Sequence, residues 1–553
     1  MLGCISIVYD LRKFFLVGFT VAVSLAACRG VEAGESIRRT GVGGGSSHSE
    51  VDGRIIDSIE IDNRNVFNTS EPGYDNFLFK TANSLHMTTR RSVIRQEVLF
   101  DVGDAYSSDL VEETARNLRA RYQLYDAWIE TRLLDNGHLL VRIVTVDQWS
   151  FRVYVNFRRE GNESDYQFGI EERNLLGYNK FLNMDYVLLQ RDHNFFRTRY
   201  QDNRLGGTSY YLDLGYDGEP TDGVTHVILQ KPFYNLDQRF SFGVALYERR
   251  ARHDYYQDSL LAAQWHRRGD NFSMIGHYRW GEYKRKIGIW FQYDYNYQNV
   301  SDQLVFSPED SNQIAFPGDS VYHRLMTGVN LEWLDFVKLR QINGFGYTED
   351  FTLGQTVGLQ VGRAFLPGLS KRLFDQVGFS FSAANMLGSN LFILDYRRDF
   401  WFEESTTFRE TSDMSFRWFN NQLDFFTLAF RIRYNSWWSA DGNNFLVLGG
   451  QSGLRGYDKY FQTGDRRLVG NIEGRFFPDI ELLSVIFGGV LFTDFGQIWS
   501  SDEPVKLGPF DYSVGAGLRI SLEKVSKKDL IRVDFAHTQT GTWELSFGTQ
   551  QYF

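Results

Sequence analysis

The sequence predicts an all-β transmembrane barrel with one small α/β domain ahead of it. Short segments that are apolar on one face only recur from Trp149 to Phe553. Ile287 to Tyr297 shows the pattern: the odd positions are Ile287, Ile289, Phe291, Tyr293, Tyr295 and Tyr297, and the even ones include Gly288, Gln292, Asp294 and Asn296. A strand turns its side chains alternately to opposite faces, so one face here is wholly apolar and ends in tyrosines. The same alternation runs through Tyr210–Tyr216, Phe240–Leu246 and Phe426–Tyr434. Strands of this kind, apolar outside, polar inside and capped by aromatics, suit a barrel whose solvent is lipid. Composition agrees. The chain is 16% aromatic, with 47 Phe and 30 Tyr, yet its mean hydropathy is −0.35. No stretch after the leader approaches the roughly 20 continuous apolar residues of a membrane helix. A membrane chain without such helices must close its backbone hydrogen bonds as a barrel. A soluble propeller or sandwich is the alternative, but it has no use for aromatics at both ends of so many strands.

The N-terminal residues predict export. Arg12 and Lys13 precede an apolar run from Phe14 to Ala27, too short to span a membrane and placed where a signal peptide belongs. The run closes with Leu25-Ala26-Ala27-Cys28, which resembles the lipobox of bacterial lipoproteins and would make Cys28 the acylated first residue after a signal of residues 1–27. Cleavage after Val31-Glu32-Ala33 is the alternative. Cys4 and Cys28 are the two cysteines of the chain, so no disulfide framework is expected beyond the leader. Residues 28–50, with Gly43-Gly44-Gly45-Ser46-Ser47 inside them, read as a flexible linker. The net charge of −10 is spread along the chain without a basic stripe, which argues against nucleic acid as a partner.

Residues 51–148 follow a different rhythm. Ile55, Ile59 and Ile61 mark a strand; Arg91–Val102 is predicted helical up to Gly103. A second helix is predicted from an N-cap at Ser107 or Ser108, with Asp109 and Glu112 in its first turn. Two strands, Asp126–Leu134 and His138–Asp147, meet at Asn136-Gly137, a strong hairpin signal. The order β-α-α-β-β resembles a POTRA domain, and the resemblance implies a periplasmic module that offers strand edges to client polypeptides. Thr145-Val146-Asp147-Gln148-Trp149 looks like the lead from such a module into its barrel, residues 149–553. A single copy is expected.

Near the C-terminal end lies Leu454-Arg455-Gly456-Tyr457, set among glycines, and later Phe492-Thr493-Asp494-Phe495-Gly496. Strand parity puts Phe492, Asp494 and Gly496 on one face and Leu491, Thr493 and Phe495 on the other. A mid-strand carboxylate must face the lumen, because charge on the lipid face costs up to a few kcal/mol. It then needs a partner, and a planar guanidinium can bind it through two parallel hydrogen bonds. Glu473 points inward by the same parity and is the reserve partner. These two motifs are similar to the hydrophobic-Arg-Gly-aromatic and F-x-D-x-G motifs of the BamA/TamA outer-membrane assembly superfamily, also called bacterial surface antigens. The resemblance implies that Arg455 lies on a loop folded back into the lumen and pairs with Asp494. It also implies about sixteen antiparallel strands, within the even-numbered range of such barrels. Phe553, at the end of a predicted strand Trp543–Phe553, would be the barrel's C-terminal recognition signal, although Thr549 and Gln551 stand where apolar residues are expected.

What the resemblance implies about function is physical rather than catalytic: assembly, insertion or translocation of polypeptides at the bacterial outer membrane. First and last strands, in Gln148–Asn156 and Trp543–Phe553, would meet at a weakly paired seam that an incoming strand can enter by β-augmentation. Expected partners are unfolded outer-membrane or secreted polypeptides, outer-membrane lipid, and periplasmic or lipoprotein partners at the POTRA domain. A two-partner-secretion pore for a dedicated passenger is the related alternative. An outer-membrane enzyme is disfavoured: Gly450-Gln451-Ser452-Gly453-Leu454 lacks the final glycine of a nucleophile elbow. His193, His226, His253, His266, His277 and His323 stand singly without metal-ligand spacing. No catalytic residue, cofactor or metal is expected, and a passive porin or adhesin would need neither the POTRA unit nor the arginine motif.

Overall fold

The computed structural model describes residues 48–553 except 122, 161–162, 189–193, 220–221, 258–259, 307–317, 370, 441–444, 479, 483, 501–502, 504–507 and 526–529. The leader, Cys28, most of the linker and His193 lie outside the described residues.

The small domain is a three-stranded sheet backed by helices. Strand β1 (Ile56–Arg64) runs parallel to β3 (Leu139–Asp147), which is antiparallel to β2 (Leu124–Leu133), giving the order β1-β3-β2. Three helices intervene: α1 (Phe77–Leu85), α2 (Arg91–Arg95) and α3 (Ser108–Arg119). Sequence periodicity missed α1 and overextended α2, because only Val93 and Ile94 of α2 reach the core. The N-cap of α3 is Ser107, as read, although its side chain makes no capping bond; Asp52 instead accepts from the Ser108 N–H at 2.7 Å. Ile94, Val111, Ala115 and Leu118 of the helices pack on Leu124, Leu139, Val141 and Ile143 of the sheet.

The rest of the chain is one antiparallel wall, each strand bonded to its sequence neighbours. It starts at β4 (Phe151–Glu160) and ends at Trp543–Thr549. Among the described residues the wall holds twenty strands, more than the roughly sixteen that the resemblance implied. The extra strands come from the first stretch: β4 and the five after it, up to Asp222–Lys231, hold only 7–10 residues each. The next nine, from Phe240–Gln257 to Phe426–Ser439, hold 14–23 residues. The last five, from Arg466–Phe476 onward, shorten again from 15 residues at most to 7. Side chains alternate as read: Ile287 and Phe291 are exposed, whereas Trp290 and Asp294 between and beside them are buried inside.

The circuit is that of a barrel in which β4 and Trp543–Thr549 are neighbours. Among the described residues β4 is laddered only to the strand after it, and Trp543–Thr549 only to the strand before it. Val153 and Phe547 on these strands are 69% and 70% exposed, at the upper end of the outward apolar residues. The residues leading into β4 bypass the last strand: the Trp149 N–H donates to Lys524 O at 2.8 Å and Gln148 Nε2 to Glu523 O at 2.5 Å, both in the turn before Leu530–Thr538.

The small domain is clamped to the near rim of the wall. Arg119 forks onto Asp350 at 2.5 and 2.7 Å, Lys338 reaches Glu112 at 2.7 Å, and Tyr283 donates to Glu113. Glu97 sits between Arg121 of its own domain (2.5 Å) and Arg204 of the barrel turn (3.1 Å). Burial alone would raise the Glu97 carboxyl, but the two guanidinium groups outweigh it and hold it below the usual glutamate range. A carboxyl that titrates lower when folded adds stability that is complete above its unfolded pKa of about 4.3 and fades as pH falls through the folded value. Electron–electron distance measurements between spin labels on the two parts are therefore expected to stay narrow at neutral pH and broaden in acid. Glu97→Gln is expected to broaden them already at neutral pH; a distribution indifferent to both would remove Glu97 from the clamp.

Candidate functional site

The loop between Phe426–Ser439 and Arg466–Phe476 turns back into the barrel. A small hairpin, Leu446–Leu448 against Gln462–Gly464, narrows it, and Leu454 and Tyr457 pack with Leu448 on Val469 of the wall. The Tyr457 hydroxyl donates to Tyr512 O at 2.9 Å. Two glycines make the close approach possible. Gly456 has φ +89, and a Cβ there would lie 2.9 Å from Ala536 Cβ; a Cβ on Gly496 would lie 2.9 Å from Leu448 Cδ1. The glycines of both motifs thus clear the space through which the loop reaches the wall.

Arg455 is 1% exposed, and Asp494 and Glu473 are fully buried. Arg455 Nε donates to Asp494 Oδ2 at 2.7 Å and Nη2 to Oδ1 at 2.8 Å, and its backbone N–H adds a third bond to Oδ2 at 3.1 Å. Asn471 Nδ2 completes the acid's shell at 2.7 Å while also holding Gly453 O at 2.8 Å. Arg455 Nη1 lies 2.8 Å from Glu473 Oε1 and 3.5 Å from Asp534 Oδ2. Glu473 is therefore engaged together with Asp494, not held in reserve. Its second oxygen takes Arg475 Nε at 2.9 Å, and Asp534 takes Arg519 at 2.6 Å and Arg532 at 3.0 Å. Three carboxylates are shared by four arginines, so no buried charge stands alone. The Arg455 guanidinium also lies 3.6 Å from the Phe492 ring centre and 4.0 Å from that of Tyr552.

Tyr552 belongs to a segment that the sequence reading placed elsewhere. The last strand stops at Thr549, Gln550 adopts φ +67, and the chain turns off the wall into the lumen. The Tyr552 hydroxyl donates to Gly450 O at 2.5 Å, Gln551 Oε1 accepts from Arg519 at 3.1 Å, and Phe553 O accepts from Arg475 Nη2 at 2.7 Å. Phe553 is thus not the outward-facing end of a strand; its ring packs in a cluster with Ile342, Leu391 and Phe419. Thr549 and Gln551, the positions that departed from the apolar pattern, mark where alternation ends.

A third segment joins these two. Residues 340–348, between Ser320–Leu339 and Glu349–Phe365, fold inward at the near rim, where Arg475 Nη1 donates to Ile342 O at 2.6 Å. Glu523 accepts from the N–H groups of Phe345 and Gly346, the latter at 2.9 Å, and burial raises its carboxyl. One chain of contacts, Arg455 to Glu473 to Arg475, thereby joins the folded-in loop to the near-rim loop and to the tail. Asp534 was legible by parity with Arg532 and Ala536; the roles of Tyr552 and residues 340–348 had no signal in the alternation.

No family model and no curated protein matches the chain. Among solved structures it is similar to BamA from Haemophilus ducreyi lacking POTRA domains 1–3, at 13% identity and a TM-score of 0.36, over 90% of this chain and 84% of that one. CdiB from Acinetobacter baumannii aligns at 12% and 0.40, over 90% and 74%. CdiB from Escherichia coli aligns at 10% and 0.42, over 90% and 76%. Likeness this distant decides nothing about activity.

Removing one partner of a buried pair strands the other, at a cost of about 3–5 kcal/mol. Arg455→Ala is expected to lower the temperature at which the folded barrel loses its fast mobility in unheated detergent gels. Arg455→Lys is expected to recover little, because an ammonium cannot make the two parallel bonds.

Proposed function

We propose that this chain is an outer-membrane factor of the BamA/TamA kind that inserts or translocates polypeptides. The observation that carries the reading is the unladdered meeting of β4 and Trp543–Thr549. Among the described residues each of these strands is registered with one neighbour, and no register is described between the two. In lipid a free strand edge is costly, since nothing there replaces water as a hydrogen-bond partner. A client strand can supply the missing row of N–H and C=O groups, gaining main-chain bonds at low conformational cost to the wall.

Insertion at this seam suits the geometry better than passage through the lumen, which three folded-in segments enter. The small domain adds a second edge: in the order β1-β3-β2, both β1 and β2 keep one side unpaired within the sheet. Clients would be taken up there as extended segments and handed to the seam at the adjoining rim. The tail residues Gln551–Phe553 hold the last strand short, so the Arg455 centre and the width of the seam are set together. The reading needs no catalytic group.

Photo-crosslinking tests it. A benzophenone amino acid at Val153 or Phe547 is expected to capture polypeptides in growing cells, whereas one at Leu359, on the wall away from the seam, is expected to capture none. Polypeptide adducts that are absent at the seam, or equal at all three sites, would count against strand addition. Deleting Gln551–Phe553 is expected to change the seam adducts while the barrel still assembles.

A further inference from the structure

Helix α1 lies in the segment between β1 and α2, for which the sequence pattern predicts no element. One face of the helix is seated: Phe79 packs with Val66 and Phe67, and Ala82, Tyr74 and Trp149 close the cluster. The Asn76 side chain caps the helix by accepting from the Phe79 N–H. The opposite face is apolar and bare. At 100° per residue Phe77, Leu85 and Leu78 fall within an arc of about 100°, with Thr81 between them, and they are 84%, 75% and 58% exposed. Lys80 is exposed beside that stripe.

The position of the helix says what covers this face. On one side Tyr74 donates to Glu481, in a turn where Ile480 and Leu482 are also exposed. That turn joins strands whose outward residues, such as Ile472 and Leu491, belong to the lipid-facing belt. On the other side the Arg90 N–H donates to Gly177 O at 3.0 Å and Asn174 Nδ2 to Thr89 Oγ1 at 2.9 Å. There Leu176 and Tyr178 are exposed below the first strands of the wall. Residues 74–90 therefore bridge the near rim from the last strands to the first, beneath the seam, and the apolar surface of the belt continues across them.

We propose that α1 lies in the headgroup region of the periplasmic leaflet, with Phe77, Leu78 and Leu85 in the lipid and Lys80 turned toward phosphate. A short helix with an apolar stripe flanked by a basic side chain fits that boundary, and its other face is already fixed to the protein. The proposal rests on the outer-membrane reading above, because only there does a leaflet meet this rim. It gives the seam a floor of protein pinned into the membrane.

The test uses the full chain, with Cys4→Ser and Cys28→Ser, in nanodiscs of phosphatidylethanolamine and phosphatidylglycerol. A fluorophore is attached in turn at Leu85→Cys, at Asp135→Cys on the exposed hairpin turn of the small domain, and at Leu359→Cys on the belt. Lipids carrying a nitroxide at the headgroup are expected to quench the label at 85 at least twofold more than the label at 135. Lipids with the nitroxide deep in the acyl chain are expected to quench the label at 359. Equal quenching at 85 and 135, with 359 still quenched, would overturn the placement of α1 and point to a protein partner for that face. Absence of quenching at 359 would overturn the membrane reading and this proposal with it.

Discussion

Two parallel hydrogen bonds between Arg455 and Asp494 organise the interior of this barrel. Their energy is not the reason they matter, since a buried ion pair often gains little over well-packed apolar residues of the same volume. Their geometry is. A fork on a carboxylate accepts one orientation, and that orientation fixes where the loop enters, which oxygen of Glu473 remains for Arg475, and so where the tail and the near-rim loop can rest. The aromatic rings beside the guanidinium add attraction without adding charge.

The interior is thus over-determined, while the described residues show no register where the first and last strands meet. The tail that could have lengthened the last strand is engaged inside, and the polar network holds it off the ladder. Rigidity in the lumen and availability at the seam have a common cause.

Much of this was legible in the residues because barrel strands obey a two-residue period. Parity alone oriented Asp494, Glu473 and Phe492, whereas the choice of Arg455 as the acid's partner came from the resemblance of the two motifs. The arginine's second acid was read as an alternative because parity gives direction and not distance. The strand number failed for another reason: it was taken from likeness, whereas the short strands after Trp149 pack more crossings into the same length. The inward turn at Gln550 escaped because a non-glycine residue with positive φ carries no sequence mark that separates it from a continuing strand. Helix α1 escaped because it is only nine residues long, too short for a helical period to stand out in the sequence.

The strand lengths carry one more consequence. A strand of 7 residues tilted by about 45° rises only ~16 Å, against ~30 Å for a typical hydrocarbon core. The strands on both sides of the seam are short, whereas those opposite hold up to 23 residues. Acyl chains beside the seam meet a low apolar wall and those across the barrel a tall one. Hydrophobic mismatch then makes the bilayer thinnest and most easily deformed where the first and last strands meet.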